Sequence, residues 1–187
     1  KYVDRKEKGK LVFPYIYQPK LDGLRCYIRL ENDGKLHCYS RNHKEYLSVP
    51  HLLSDPTINS IFEEFPDIIL DGELYNHNLK NDFNKIVSLV KKTKPTDFDR
   101  FESSRLIFFN CFDCYFQNQP DLPFITRNKL LMEKARRHGD QRIAFVTSAS
   151  IGDMNPDGNL MLHSEEEVES KIREYIEKGY EGIMLKK

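Results

Sequence analysis

Long apolar runs are missing from this sequence. The longest, Leu106–Phe109, has four residues, far short of the ~18 that a membrane-spanning helix needs. No membrane-spanning helix is expected on that ground, and no signal peptide is expected at the start of the sequence. Net charge is missing too. The 29 Lys and Arg residues cancel 29 Asp and Glu residues, so any nucleic-acid footprint must be a local one. Cysteine is scarce: Cys26, Cys38, Cys111 and Cys114 are too few and too scattered for a disulfide framework in 187 residues. That suits a reducing compartment, cytoplasmic or nuclear. No internal repeat and no low-complexity stretch occurs, and the chain opens at Lys1 without an initiator Met, which suggests an excised fragment.

What is present is enough for one domain with a true core, burying roughly 70% of its unfolded surface, or for two small domains. Charged residues make up 31% of the chain, but 12 Phe and 10 Tyr make it too aromatic to be disordered.

Behind a charged lead-in, residues 1–10, the run LVFPYIYQPK reads as strand and loop. Cys26–Leu30 and Leu36–Ser40 flank Asn32-Asp33-Gly34, a strong hairpin signal. Ile68–Leu70 is a short apolar strand ending at Asp71-Gly72-Glu73, which puts two carboxylates at a strand end, where sites are built. Between Asn81 and Thr93, the residues Phe83, Ile86, Val87 and Val90 follow the spacing of one helix face. A second helix is signalled by Thr126 as N-cap, by Leu130, Leu131, Lys134 and Ala135, and by Gly139 beyond its end. A third has the capping box Ser164-Glu165-Glu166-Glu167 and then Val168, Ile172, Tyr175, Ile176 and Gly179. Leu106–Tyr115, Arg142–Thr147 and Ile183–Leu185 read as strands. Strands and helices mix without regular alternation, so an α+β domain with mostly antiparallel sheets flanked by helices is expected.

Three clusters could carry chemistry. Lys20-Leu21-Asp22-Gly23-Leu24-Arg25 places a lysine at a strand-to-loop junction near an acid and an arginine. An amine attacks only when neutral, so a lysine starting near pKa ~10.4 must be pushed down by desolvation or by neighbouring cations. Alone, such a hexapeptide is most often a solvated turn. Asp71-Gly72-Glu73 and Glu181-Gly182 offer carboxylates, hard oxygen ligands suited to Mg²⁺, the ion that accompanies nucleotide phosphates. In Phe108–Tyr115, strand alternation lets Phe112 offer a ring to a base while Phe109 and Cys111 point the other way; for any single Phe, core packing is the commoner role.

In order and spacing these motifs resemble the nucleotidyltransferase domain shared by ATP-dependent DNA ligases, RNA ligases and mRNA capping enzymes, an ATP-grasp-like fold. The similarity runs from about Tyr15 to Lys187. Lys20, Asp22, Gly23 and Arg25 meet the Lys-x-Asp-Gly-x-Arg motif in full; Ser40-Arg41-Asn42, Asp71-Gly72-Glu73, Phe112-Asp113 and Glu181-Gly182-Ile183-Met184 follow in the family's order. Each motif is weak alone, and the series is strong. The resemblance implies that Lys20 takes AMP from ATP as a phosphoramidate, that AMP passes to the 5′-phosphate of nicked double-stranded DNA, and that the 3′-hydroxyl displaces it. It makes Lys20, Asp22 and Arg25 catalytic. By the same resemblance Arg25 and Glu73 would hold the ribose, Phe112 and Met184 would pack on the two faces of adenine, and Gln18 would read its edge. Arg41 would meet the AMP phosphate or the 5′-phosphate, Lys186 would join the nucleotide-binding set, and Glu181 and Glu73 would serve Mg²⁺.

The family's Lys-x-Lys motif, about twenty residues beyond Glu-Gly, and its OB-fold domain are not in these 187 residues, so residues 1–187 are expected to be a C-terminally incomplete nucleotidyltransferase domain that adenylates itself poorly. Lys186 and Lys187 stand too close to Glu-Gly to take the missing motif's place. Leu21, Leu24, the Gly-Glu-Leu-Tyr run and Phe-Asp-Cys-Tyr look most like DNA ligases, and the compact spacing resembles small viral or phage ones. RNA ligase or capping guanylyltransferase is the runner-up, and a non-catalytic nucleic-acid-binding module is a third reading. A monomer is expected. Cys111-x-x-Cys114 invites a zinc or redox reading, but residues three apart on a strand face opposite sides, and Cys26 and Cys38 do not form a second ligand pair. His43, His77 and His163 read as surface or turn residues. Lys91-Lys92-x-Lys94 and Arg136-Arg137-His138 are the local basic patches, with the Lys91 patch the preferred DNA contact.

Overall fold

Most helices of this protein begin at a side chain that can take up orphan backbone N–H groups, and the strands between them alternate buried and half-buried residues. The computed structural model describes residue 9 and residues 11–137, 143–145 and 161–186, with 135–137 and 143–145 as backbone only. In chain order the described elements are β1 (Tyr15–Pro19), β2 (Leu24–Leu30), β3 (Leu36–Ser40), α1 (Pro50–Leu53), α2 (Pro56–Glu64), β4 (Ile68–Tyr75), α3 (Phe83–Val90), α4 (Asp97–Leu106), β5 (Phe108–Phe116), α5 (Phe124–Arg137), β6 (Ile143–Phe145), β7 (Met161–Leu162), α6 (Glu165–Glu177) and β8 (Ile183–Lys186), with one 3₁₀ turn at His77–Leu79. The mixed, mostly antiparallel α+β architecture is as expected. None of the described helices is long and apolar enough to cross a membrane. The charged lead-in apart from residue 9, His138, Gly139, the ends of the Arg142–Thr147 strand, Lys187 and the side chains of Arg136 and Arg137 lie outside the described residues.

The chain divides into two compact units, residues 1–20 with 148–187, and residues 21–147. The first holds an antiparallel sheet in the order β7-β1-β8. Its core is Tyr17, Leu162, Val168 and Tyr175, joined by Ile172, Ile183 and Leu185. Ser164 caps α6 by accepting the Glu167 N–H at 3.2 Å. The Glu167 carboxylate reaches back to the N–H of His163, at 2.7 Å, one residue short of the reciprocal bond a capping box requires. Gly179, at φ +86°, ends the helix, and the Tyr180 N–H closes on the Tyr175 carbonyl at 2.9 Å.

The second unit is built on a five-stranded sheet, β3-β2-β4-β5-β6, antiparallel except for β5 with β6. The β2–β3 hairpin turns at the expected residues, with Gly34 at φ +76°. Cys26, Ile28, Cys38, Leu70, Leu74 and Phe109 line the buried face and pack with Leu52, Ile58, Ile61, Ile86 and Leu131 of the helices. Three helix starts differ from the sequence reading or are added to it. Asp55 caps α2 ahead of Pro56; Thr96 and Asp99 form a full capping box on α4; and α5 begins at Phe124, before Thr126, whose N–H bonds the Pro123 carbonyl at 3.0 Å. The helix read across residues 81–93 is shorter, Phe83–Val90, with Asp82 as its cap.

Two further expectations are corrected by strand geometry. β4 does not end at Leu70; it runs through Asp71-Gly72-Glu73 to Tyr75, so both acids sit inside a strand on the face away from the core. In β5, Asp71 stands opposite Asp113 and Gly72 opposite Cys111, leaving Phe112 without a cross-strand partner. This bulge adds one residue to the alternation, so Cys111 and Cys114, three apart, are both buried on the core side. Among the described residues no group of three His, Cys, Asp or Glu side chains is placed to hold a metal ion. All four cysteines are free thiols. Cys26 and Cys38 lie with their sulfurs 2.7 Å apart, and burial holds the Cys26 thiol far above its ordinary range, which keeps it unreactive.

Candidate active site

The sequence-predicted residues fall in both units and are described unit by unit. In the first, β1 and β8 are joined beyond their ladder by two backbone bonds. The Lys20 N–H donates to the Gly182 carbonyl at 2.9 Å, and the Glu181 N–H donates to the Lys20 carbonyl at 3.1 Å. That clamp brings the Lys20 ammonium onto the Glu181 carboxylate. The pair is 40% and 49% exposed, so its worth to stability is under ~1 kcal/mol and its interest is positional. Gly182 supplies the backbone for it at φ +136°, with nothing within 4 Å of where a Cβ would stand. Gln18 is 1% exposed and stands opposite Met184 in the ladder, while Ile16 stands opposite Lys186. Strand alternation therefore puts Gln18, Met184 and Lys186 on one face of this sheet.

In the second unit, Arg25 of β2 lies directly across from Glu73 of β4. Its guanidinium forks onto Asp71, with Nε 3.0 Å from Oδ1 and Nη2 on Oδ2, and stands over the Phe112 ring, 5.5 Å from the centroid. Burial works against the cation, but Asp71, Glu73 and Asp113 outweigh it and hold the guanidinium above its ordinary range. Asp113 in turn takes a two-pronged bond from Arg127 of α5, at 2.8 and 3.0 Å. Helix, bulge and arginine thus form one connected network: Arg127 holds Asp113, Asp113 follows the bulged Phe112, and Phe112 lies under Arg25.

Glycine is required where these strands crowd. A Cβ on Gly23 would lie 2.8 Å from Glu73 Cγ and press on the Leu74 carbonyl. Arg41 sits in an exposed turn after β3. Asp22 is exposed and makes no side-chain hydrogen bond or ion pair among the described residues.

Residues 7–187 match the family model of the ATP-dependent DNA ligase domain. The chain belongs to that family. Within the ATP-dependent DNA ligase domain family, a DNA ligase of African swine fever virus is 26% identical over 171 residues, covering 91% of this chain and 36% of the relative. The chain thus spans about a third of the length of the curated relatives it matches. Two solved structures share the fold: the ATP-dependent DNA ligase of bacteriophage T7 in complex with ATP (15% identical, TM-score 0.67, 92% of this chain and 56% of that one) and an archaeal ATP-dependent RNA ligase (18%, 0.62, 95% and 40%).

In this ligase domain, the sequence reading singled out Lys20, Arg25, Glu73 and Glu181; it counted Asp71 among the paired carboxylates but gave it no role, and it passed over Arg127. The place of Asp71 beside Arg25 was findable, because two residues before Glu73 in a strand is the same face. Arg127 carried no local signal: it reaches Asp113 only through the packing of α5 on β5.

Proposed function

We propose that this ligase domain works in a protein that seals nicked double-stranded DNA with ATP, through a covalent lysyl-AMP on Lys20. The observation that carries the reading is the Lys20–Glu181 pair at the clamped ends of β1 and β8, in a chain of this family. The Lys20 ammonium first gives a proton to the carboxylate that touches it; the neutral Nζ then attacks the α-phosphorus of ATP, an N–P bond forms as the bond to pyrophosphate breaks, and the second proton lost by the nitrogen goes to solvent or to the departing pyrophosphate. The AMP then passes to the 5′-phosphate, returning the lysine, and the 3′-hydroxyl displaces AMP as the new phosphodiester forms. Arg25 and Glu73 hold the ribose and Phe112 the adenine, with Gln18, Met184 and Lys186 adding nucleotide contacts, Arg41 taking a phosphate and Asp22 supporting the nucleophile.

Carboxylate donors fit Mg²⁺, but no cluster of three ligands occurs among the described residues. Glu181 or Glu73 would hold the ion only together with substrate phosphates and water, the usual manner for Mg²⁺. Bound there, the ion neutralises phosphate charge. The protein acts as a monomer.

The test uses the full-length protein with α-labelled ATP or GTP beside Lys20→Ala, read on a denaturing gel. Label from ATP, lost in Lys20→Ala, is expected; label from GTP would move the reading to a capping enzyme, and none from either would remove it. The likeness to an archaeal RNA ligase favours one second reading, RNA sealing. Nicks with ribose or deoxyribose strands separate the two.

A further inference from the structure

Beside Arg25, the 21–147 unit carries a groove of about 710 Å³ that none of the nucleotide roles uses in full. The turn Ser40–Lys44 lines it from one side of the sequence and Val90–Thr93, at the C-terminal end of α3, from another, with Tyr46 and Leu47 between the charges. The turn is preorganised. The Ser40 N–H bonds the Lys44 carbonyl at 2.8 Å, the Lys44 N–H bonds Ser40 Oγ at 3.1 Å, and His43, at φ +57°, holds the Tyr27 hydroxyl at 2.6 Å.

Five cations and one acid line this groove. Three of the six are already engaged: Arg25 by Asp71, Lys92 by Asp99 at 2.6 Å, and Glu45 by His37 at 2.6 Å. Arg41, Lys44 and Lys91 make no side-chain ion pair or hydrogen bond among the described residues. Three uncompensated cations on two different elements of one groove call for phosphate oxygens. Those could come from the triphosphate of a nucleotide or from a polynucleotide backbone, and the placement favours the backbone. A compact triphosphate is cradled by backbone N–H groups at a glycine-rich loop or helix N-terminus. Here α3 instead brings its C-terminal, negative end, which disfavours a dense anion but tolerates single phosphodiester charges beside lysines. Leu47, 45% exposed, offers apolar surface suited to sugar edges.

We propose that this groove tracks the backbone of the nicked DNA, Lys44 and Lys91 each neutralising one phosphate beyond the one that Arg41 meets. This rests on the ligase reading and adds to it two residues that lie in none of the nucleotide motifs. It also narrows the basic patch read from the sequence: Lys91 carries the contact, Lys92 is held by Asp99, and Lys94 does not line the groove.

The test measures binding of the full-length protein to a labelled nicked duplex from roughly 50 to 200 mM salt. Lys44→Gln and Lys91→Gln should each flatten the slope of log affinity against log salt by about 0.9, the double variant by about twice that, and Arg at both positions should restore it. Lys92→Gln should flatten it less. Unchanged slopes in variants that still seal nicks would overturn the groove and leave the ligase reading standing. A raised KM for ATP in self-adenylation with unchanged DNA slopes would assign the groove to the triphosphate and also overturn it. A wild-type protein that neither binds nor seals nicked DNA would remove the ligase reading and the groove together.

Discussion

Gly72, inside β4, and Gly182, just ahead of β8, each stand next to an acid of the site, and each must be glycine for its own reason. A Cβ at Gly72 would sit 2.9 Å from Phe109 Cζ and closer still to the Asn110 carbonyl, so Gly72→Ala pushes backbone against backbone and should cost about 1–3 kcal/mol in thermal melting. At Gly182 there is room, but φ is +136°, and an alanine there costs roughly 1–3 kcal/mol of strain or turns the backbone. Because that turn would carry Glu181 away from Lys20, we expect Gly182→Ala to lower AMP labelling of Lys20 while Gly72→Ala acts through stability; equal effects on labelling at matched stability would contradict this. A second prediction concerns Asp113. Asp113→Asn removes the charge that Arg127 forks onto, in a pair only 19% and 14% exposed, and should destabilise by about 1–3 kcal/mol. It should also raise the KM for ATP, since the Phe112 bulge loses its anchor; a melting shift with unchanged KM would make the pair purely structural. At this scale Lys20 and Arg25 were legible because their identities and spacing form one motif. Asp22, read as catalytic with them, has no partner among the described residues.

Among the elements, α4 left the weakest trace in the sequence. Its Phe98 and Phe101 are 70% and 55% exposed, so no apolar face announces it, and what starts it is the capping box of Thr96 and Asp99, with Lys92 on the same carboxylate at 2.6 Å. Lys92, then the N–H and hydroxyl of Thr96, hold the Asp99 carboxyl down to about 2. A carboxylate whose value is lower folded than unfolded lends stability above the unfolded value of about 3.9 and loses it as pH falls toward the folded one. The melting advantage of wild type over Asp99→Asn should therefore be constant above about pH 5 and shrink between pH 4 and 2. An advantage that persisted at pH 2 would show that the carboxylate does not act by charge. Thr96→Ala should cost about 1 kcal/mol at neutral pH. β4 was read too short for a related reason: an Asp-Gly-Glu run looks like a turn, yet alternation leaves both acids on the face away from the core and lets the strand continue.

For the molecule as a whole, the two units differ in how much core each owns among the described residues. Residues 21–147 are continuous and bury a large cluster on one sheet face, whereas the other unit joins two distant segments around Tyr17, Leu162, Val168 and Tyr175. A small core of this kind rarely stands alone. Residues 21–147 expressed alone should keep their far-ultraviolet circular dichroism and melt cooperatively, yet take no AMP label, for want of Lys20; a non-cooperative melt would show that the division is not one of stability. The sequence by itself determined the family and singled out Lys20 by its motif, because motif order and residue identity are covalent facts, and it determined most of the helices and strands, because their periods are local. Only the tertiary structure decided that Phe112 is bulged out, that Cys111 and Cys114 share the core, that Asp71 rather than Glu73 takes the fork of Arg25, and that Lys44 and Lys91 line one groove. Each of those depends on cross-strand register or on elements tens of residues apart closing on one another, and no local pattern of side chains encodes that register.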